Sequence, residues 1–417
     1  MPAVYWPNST KEREFIMIEQ ITTAETSTDT QELIERAKAL RPLLKKNAAL
    51  TEDGRRVPEE NIQAIADAGL FRITVPRRYG GYEVNIRTKL EVSAAIAEGC
   101  GSTAWVTTLI NVCNWFTSLY PQQAQDDVFG ANPNARVAGV FAPSAKTRRV
   151  DGGLIVTGKW YYSSGSLHAT WGLVGVPVVN EAGVQVDQGL ALIPGEQLSI
   201  EDTWYVTGMK GTGSNALVAN EVFVPDYRIL SLPRAIEGDY PTEHKHEEAL
   251  YRSAFVPVAV LVLLGPQLGM GRAALEYVIE KAPQRSIAYT SFQKQTDSVA
   301  FQLQIADAAV KIDTAHLLAY RAAADIDEAA AQSVYPNYTR RARIRAYSGA
   351  AIRNITDAID ILLSAHGAGS FALSSPLQRM WRDSNTAARH AVILPTVSDE
   401  VYGKALLGVE NTVTPLV

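Results

Sequence analysis

Apolar residues in this chain recur at helical spacing, switch to alternation near residue 135, and return to helical spacing near residue 250. A period of 3.6 buries one face of a helix and a period of 2 one face of a strand, so each switch marks a change of architecture. Before the first switch, Leu33, Ala37, Leu40 and Leu44 stripe one helix, and Ile62, Ile65 and Ala66 a second that stops at Gly69. Two more helices are expected over about 87–99 and 102–119. Between the switches, 137–141, 154–158, 171–176, 190–193 and 219–224 read as strands, with Asp151-Gly152-Gly153 as a hairpin turn. Beyond the second switch, helices are expected over about 250–280, 294–332, 336–366 and 376–406. The expected fold is α+β and multidomain: a tail (1–29), an N-terminal helical domain (30–133), a central β-barrel (134–232), a linker (233–249) and a C-terminal four-helix bundle (250–417).

A net charge of -5 on 417 residues gives no general affinity for nucleic acid or anionic lipid. The stretch from Ser253 to Met270 carries no charge, but Pro257, Gly265, Pro266 and Gly269 interrupt it, so a buried helix is expected rather than a membrane span. Glu12, Glu14 and Glu19 precede any apolar run, which argues against a signal peptide. Cys100 and Cys113 lack metal-ligand spacing and read as buried thiols of a cytoplasmic protein. His244 and His246 have no third partner nearby, so no metal is expected. No Gly-x-Gly-x-x-Gly follows a strand, so the chain offers no visible nicotinamide site.

One stretch is too polar and Gly-rich for plain core. Ala365-His366-Gly367-Ala368-Gly369-Ser370 is followed by Arg379, Arg382-Asp383 and His390. Glycines let backbone approach a ligand closely, and a basic pair, an acid and a histidine follow at near-helical spacing. Together with Gly69-Leu70-Phe71, Val75-Pro76, Tyr79-Gly80-Gly81, Thr157-Gly158-Lys159 and Ser163-Ser164-Gly165, in this order, the pattern resembles the acyl-CoA dehydrogenase superfamily over roughly residues 30–410. The resemblance implies flavin bound where the domains meet, and a homotetramer.

Two departures then narrow the activity. The dehydrogenases carry a catalytic Glu eight residues beyond the Asp of Arg-Asp, and here that position is Ala391. Their Glu-Pro-Gly-Ala-Gly-Ser-Asp loop is replaced by Phe141-Ala142-Pro143-Ser144-Ala145-Lys146. Without a carboxylate base, α-proton abstraction from a thioester has no agent. With His390 beside the missing Glu, the chain resembles the oxygenase components of two-component aromatic hydroxylases, of the 4-hydroxyphenylacetate 3-hydroxylase type. Such enzymes take FADH2 or FMNH2 from a separate NAD(P)H:flavin reductase, use O2 as co-substrate, and hydroxylate a phenolic or indolic ring through a C4a-hydroperoxyflavin. N- or S-oxygenation on the same fold is the alternative, and an acyl-CoA dehydrogenase with an atypical base a more distant one.

The resemblance assigns roles residue by residue. His390 is the base and Ser163 the hydroxyl facing the flavin, with Ser164 as its substitute and Tyr161 stacking on the ring. Phe141 and Ser144 fall in the flavin-contacting loop. Arg285 matches an arginine that reaches a flavin phosphate in an adjacent subunit, and His366 and Gly367 the turn laid against that flavin. By residue type rather than by the resemblance, Trp115, Asn111 and His168 are candidate substrate contacts, Trp115 and Asn111 in a group with Trp105 and Phe116 that could wall an apolar pocket or fill core. His316 reads as structural.

Overall fold

The computed structural model describes residues 28–417. The tail expected over 1–29 lies outside them, except that its last two positions begin the first helix, Thr28–Ala39.

The strands of the central region are β1 (Val137–Val140), β2 (Ala145–Val150), β3 (Gly153–Ser163), β4 (Trp171–Val179), β5 (Gln185–Pro194), β6 (Ser199–Glu201), β7 (Asn215–Pro225) and β8 (Ile229–Ser231). They form two four-stranded sheets, β1-β4-β5-β8 and β2-β3-β7-β6, and not the expected closed barrel. The junction of β2 with β4 shows why. Thr147 Oγ1 donates to the Pro177 carbonyl at 2.6 Å and Arg149 Nε to the Val179 carbonyl at 3.2 Å. Side chains bridge the two sheets there, where closure would need a backbone ladder. Leu154, Val156 and Trp160 from one sheet meet Val174, Val176, Ala191 and Ile193 from the other in a separate buried core. Trp160 Nε1 also donates to the Gly175 carbonyl at 2.8 Å, so the largest side chain of this core has its polar atom satisfied.

Five helices start at side-chain caps: Asn85 for Ile86–Ala97, Ser231 for Leu232–Ile236, Ser298 for Val299–Ala331, Asn337 for Tyr338–His366, and Ser375 for Pro376–Ala387. Each cap oxygen accepts a backbone N–H that the helix itself leaves unpaired. Helix Gly101–Thr117 runs through the interior, and every residue in it except Leu109 is buried.

Residues 250–417 contain six α-helices where four are expected. The first divides into Phe255–Leu261 and Leu264–Lys281. The last divides into Pro376–Ala387 and Pro395–Leu407, because proline lacks the N–H that a helix interior needs and is favoured as a first residue. His390 therefore stands in the break between two helices. Within Phe255–Gln284 an 18-residue window has a mean hydropathy of 1.6, and 89% of that window is buried inside the protein.

Candidate active site

The end of β3 departs from strand alternation. Register shifts between Trp160 and Ser163, and Tyr162 takes a φ of +67°. The bulge turns Tyr161 and Tyr162 outward together and sends both Ser163 and Ser164 inward. The two serines then differ in one respect. Trp105 Nε1 donates to Ser164 Oγ at 3.1 Å, and Ser164 Oγ lies 2.7 Å from Ser214 Oγ. Ser214 Oγ lies 2.6 Å from Thr212 Oγ1, which donates to the Met209 carbonyl at 2.8 Å. With the Thr212 proton spent on that carbonyl, Ser214 donates to Thr212 and Ser164 donates to Ser214. Ser164 thus has no proton left to offer and serves to hold Trp105. Ser163 Oγ is fully buried without a partner, so its proton and lone pairs are unspent.

The Trp105 ring in turn packs on His390, with centroids 5.9 Å apart and planes tilted by 58°. His390 is exposed at the residue level, while protein crowds its ring on the Trp105 side. No hydrogen-bond partner holds either ring nitrogen among the described residues. Desolvation alone lowers its pKa, to about 4, which leaves a neutral imidazole with a free lone pair at pH 7.

The helix before His390 is clamped. Arg382 lies 2.5 Å from Glu52, Asp383 accepts from the Met209 N–H at 2.5 Å, and Ser384 donates to Gln267 at 2.6 Å. Three consecutive residues thus tie Pro376–Ala387 to an N-terminal helix, a loop of the β-region and helix Leu264–Lys281. The carboxylates of Glu52 and Asp383 are committed to this clamp.

A second group forms apart from these contacts. Arg285 Nη2 donates to the His366 carbonyl at 3.3 Å, and the His366 ring lies 5.5 Å from that of Tyr277. Gly367 follows with φ +85°, a conformation suited to glycine. Arg285 Nε and His366 Nδ1 are buried without partners. Burial lowers the His366 pKa to about 4, with Arg285 and Lys281 adding to the effect. Two unsatisfied donor-capable groups and an open glycine turn fit a polar, anionic ligand.

The other expected residues separate. Tyr161 is exposed with Lys159 over its ring, and Ser144 is exposed. Phe141 joins Phe116 and Phe255 in a ring cluster, with centroids 4.6 to 5.7 Å apart. Trp115 is fully buried and donates to the Leu250 carbonyl at 2.9 Å. Asn111 Nδ2 bonds the Leu70 and Thr107 carbonyls. His168 lies 3.3 Å from Glu59 and accepts Arg136 at its carbonyl, with no contact to the Trp105–His390 pair. The residue that meets His390 is Trp105, and nothing in its helical spacing distinguishes it from core. Ser214, Thr212 and Glu52 carry no sequence signal at all.

Comparison with known proteins shows the family. Family models described as acyl-CoA dehydrogenase, N-terminal domain and C-terminal domain match residues 28–128 and 261–395. The oxygenase subunit HsaA of a flavin-dependent monooxygenase from Rhodococcus jostii (strain RHA1) is 34% identical over 382 residues, covering 91% of this chain and all of that protein. The oxygenase component of p-hydroxyphenylacetate 3-hydroxylase from Acinetobacter baumannii is 29% identical, covering 91% of this chain and 89% of that protein. XiaF from Streptomyces sp., solved in complex with FADH2 and glycerol, superposes with a TM-score of 0.88 at 37% identity, covering 94% of this chain and 98% of that one. The chain belongs to the acyl-CoA dehydrogenase superfamily, among its flavin-dependent monooxygenase oxygenase subunits.

Proposed function

We propose that this protein is the oxygenase component of a two-component monooxygenase that hydroxylates a phenolic or indolic ring. The observation that carries the reading is His390: a neutral, unpaired imidazole in contact with Trp105, at the position next to Ala391. Relatives named as oxygenase subunits support it, as does the p-hydroxyphenylacetate hydroxylase among them.

The unpaired groups fit a flavin. Ser163 would meet its ring system from the end of β3, while Tyr161 and Ser144 face outward and Phe141 sits in the phenylalanine cluster. Arg285, His366 and Gly367 would meet its phosphate, donated to the flavin of a neighbouring subunit in a homotetramer. FADH2 is favoured over FMNH2 by the FADH2-bound structural relative. Reduced flavin supplies two electrons and activates dioxygen, so that one oxygen atom enters the ring and the other leaves as water. The chain's own contribution is to hold the ring and to move one proton. The His390 imidazole removes the phenolic proton, which raises electron density at the carbon to be attacked. Trp105, fixed through Ser164, keeps that imidazole in place. A separate NAD(P)H:flavin reductase would deliver the reduced flavin.

The test is anaerobic reduced FAD mixed with oxygenated buffer containing a simple phenol, followed by product analysis. A hydroxylated product formed in proportion to reduced flavin is expected. Peroxide alone with every phenol and indole tried, or bleaching of bound oxidised flavin by a CoA thioester, would overturn the reading.

A further inference from the structure

Helices Ile86–Ala97 and Gly101–Thr117 enclose a void of about 10 Å³, with Lys89, Ser93, Thr108 and Asn111 among its walls. That is about the least space in which one water molecule fits, and only where several polar groups can bond it. These four side chains carry hydrogen-bonding capacity that the protein does not use. Lys89 is fully buried and its Nζ has no partner. Asn111 Nδ2 donates to the Leu70 and Thr107 carbonyls, which fixes the amide's orientation and leaves Oδ1 buried and unpaired. Ser93 Oγ and Thr108 Oγ1 lie 2.5 Å apart, so one of their two protons is spent between them and the other is unspent among the described residues. Lys89 Nζ and Asn111 Oδ1 are thus a donor and an acceptor on the walls of one void that do not bond each other. Buried polar groups are costly to leave unmatched, so this geometry calls for a molecule between them.

We propose that the void is a binding site for a single water molecule, held by Lys89 Nζ, Asn111 Oδ1 and the Ser93–Thr108 hydroxyl pair. Donors and acceptors then balance. Lys89 and the spare hydroxyl proton donate to the water oxygen, and the two water protons go to Asn111 Oδ1 and to a hydroxyl lone pair. A small anion fits less well, because it has no proton for Asn111 Oδ1. Through this molecule Ile86–Ala97 is tied to the helix that carries Trp105 to His390 by hydrogen bonds as well as by packing.

The test is a crystal structure of the protein at a resolution that shows other buried waters, with a parallel crystal soaked in bromide. A density peak at hydrogen-bonding distance from Lys89 Nζ and Asn111 Oδ1 is expected, with no anomalous signal from bromide. Lys89→Met, close in length but without a donor, is expected to lose the peak. In solution, Lys89→Met and Thr108→Val are expected to shift the denaturant midpoint non-additively, since each removes a partner of the same molecule. If Lys89→Met does not fold, the unaltered protein and Thr108→Val, in which the peak should weaken or vanish, still decide. An empty void beside other resolved waters overturns the site, as does a direct bond between Nζ and Oδ1. A bromide signal there makes it an anion site instead, and additive midpoint shifts overturn the shared bridge.

Discussion

At the scale of single residues, His390 and Lys89 show two consequences of burial. For His390 the lowered pKa sets the pH dependence. The neutral base is present above its folded pKa of about 4 and is lost as pH falls through that value. The acid limb of kcat/KM is therefore expected below pH 5, well under the usual histidine value near 6.5. His390→Ala is expected to lower hydroxylation by about 100-fold or more at pH 7, within the range for a lost general base, with the oxygen diverted to peroxide. The defect should shrink as pH approaches about 10, where a phenol ionises unaided. A defect constant with pH would show that His390 does not move the proton. Lys89 is fully buried with no partner for Nζ, beside a void of about 10 Å³ lined by Thr107, Thr108 and Asn111. Burial lowers its pKa to about 7. Between pH 7 and 10.5 the unfolded chain holds this proton and the folded one does not, so the group's contribution to stability rises with pH across that window. Lys89→Met is expected to stabilise the protein at pH 7, by on the order of a few kcal/mol. The gain should fade by about pH 10, as read from denaturant midpoints. At this scale the sequence singled out His390 through its place next to Ala391, and placed Trp105 in a group with Trp115 and Phe116 without ranking it, because an aromatic beside a site and one that fills a core share the same helical spacing.

At the scale of elements, the junction between the β-region and helix Pro376–Ala387 holds His390 in register. A Cβ added to Gly208 would stand 2.2 Å from the Arg382 carbonyl oxygen, so the loop can approach the helix only as glycine. The next residue, Met209, has φ +55°, an unfavourable conformation for a side chain, and hydrogen bonds on both sides of its peptide fix it. Its N–H donates to Asp383, and its carbonyl accepts from Trp204 Nε1 and Thr212 Oγ1. Gly208→Ala is expected to destabilise by roughly 1–3 kcal/mol, the range for overpacking, and to lower activity by shifting the helix that leads to His390. Asp383 separates charge from hydrogen bonding. Burial raises its pKa to about 6, so below that value the folded state binds a proton more readily than the unfolded one. Stability from this group falls as pH rises from about 4 to 6 and stays low above it. Asp383→Asn keeps an acceptor for Met209 without the buried charge and should match or exceed wild-type stability at pH 7. Asp383→Ala leaves the Met209 N–H unpaired and should cost about 1–3 kcal/mol. Equal losses in the two variants would assign the role of Asp383 to its charge. Element types were largely legible, since the periods and caps such as Asn85 and Ser298 lie in the local sequence. The break at His390 was less so: Pro395 marks it, but apolar spacing continues across it.

At the scale of the whole molecule, the order of helices, strands and helices was legible, and the closure of the strands was not. Whether β2 and β4 pair by backbone or only through Thr147 and Arg149 depends on contacts about 30 residues apart, which no local pattern encodes. Assembly leaves a plainer trace. On helix Val299–Ala331, Leu303, Val310 and Leu317 are exposed at intervals of seven, with Val299 four residues before Leu303. A stripe of apolar residues at heptad spacing, two-thirds exposed at Leu303, is what a helix shows when another helix covers it. The stripe supports the proposed homo-oligomer, and the unpartnered Arg285 Nε and His366 Nδ1 give that assembly a use if they serve a neighbour's flavin. Leu303→Asp with Val310→Asp places two charges in the stripe and is expected to lower the mass measured by light scattering. Reduced-FAD affinity should fall at least tenfold with it, because the phosphate would lose its partner from the adjacent subunit. Arg285→Ala should cause a comparable loss of affinity without changing the mass. Dissociation with unchanged affinity would place Arg285 and His366 outside the flavin site, and an unchanged mass would remove this helix from the subunit interface.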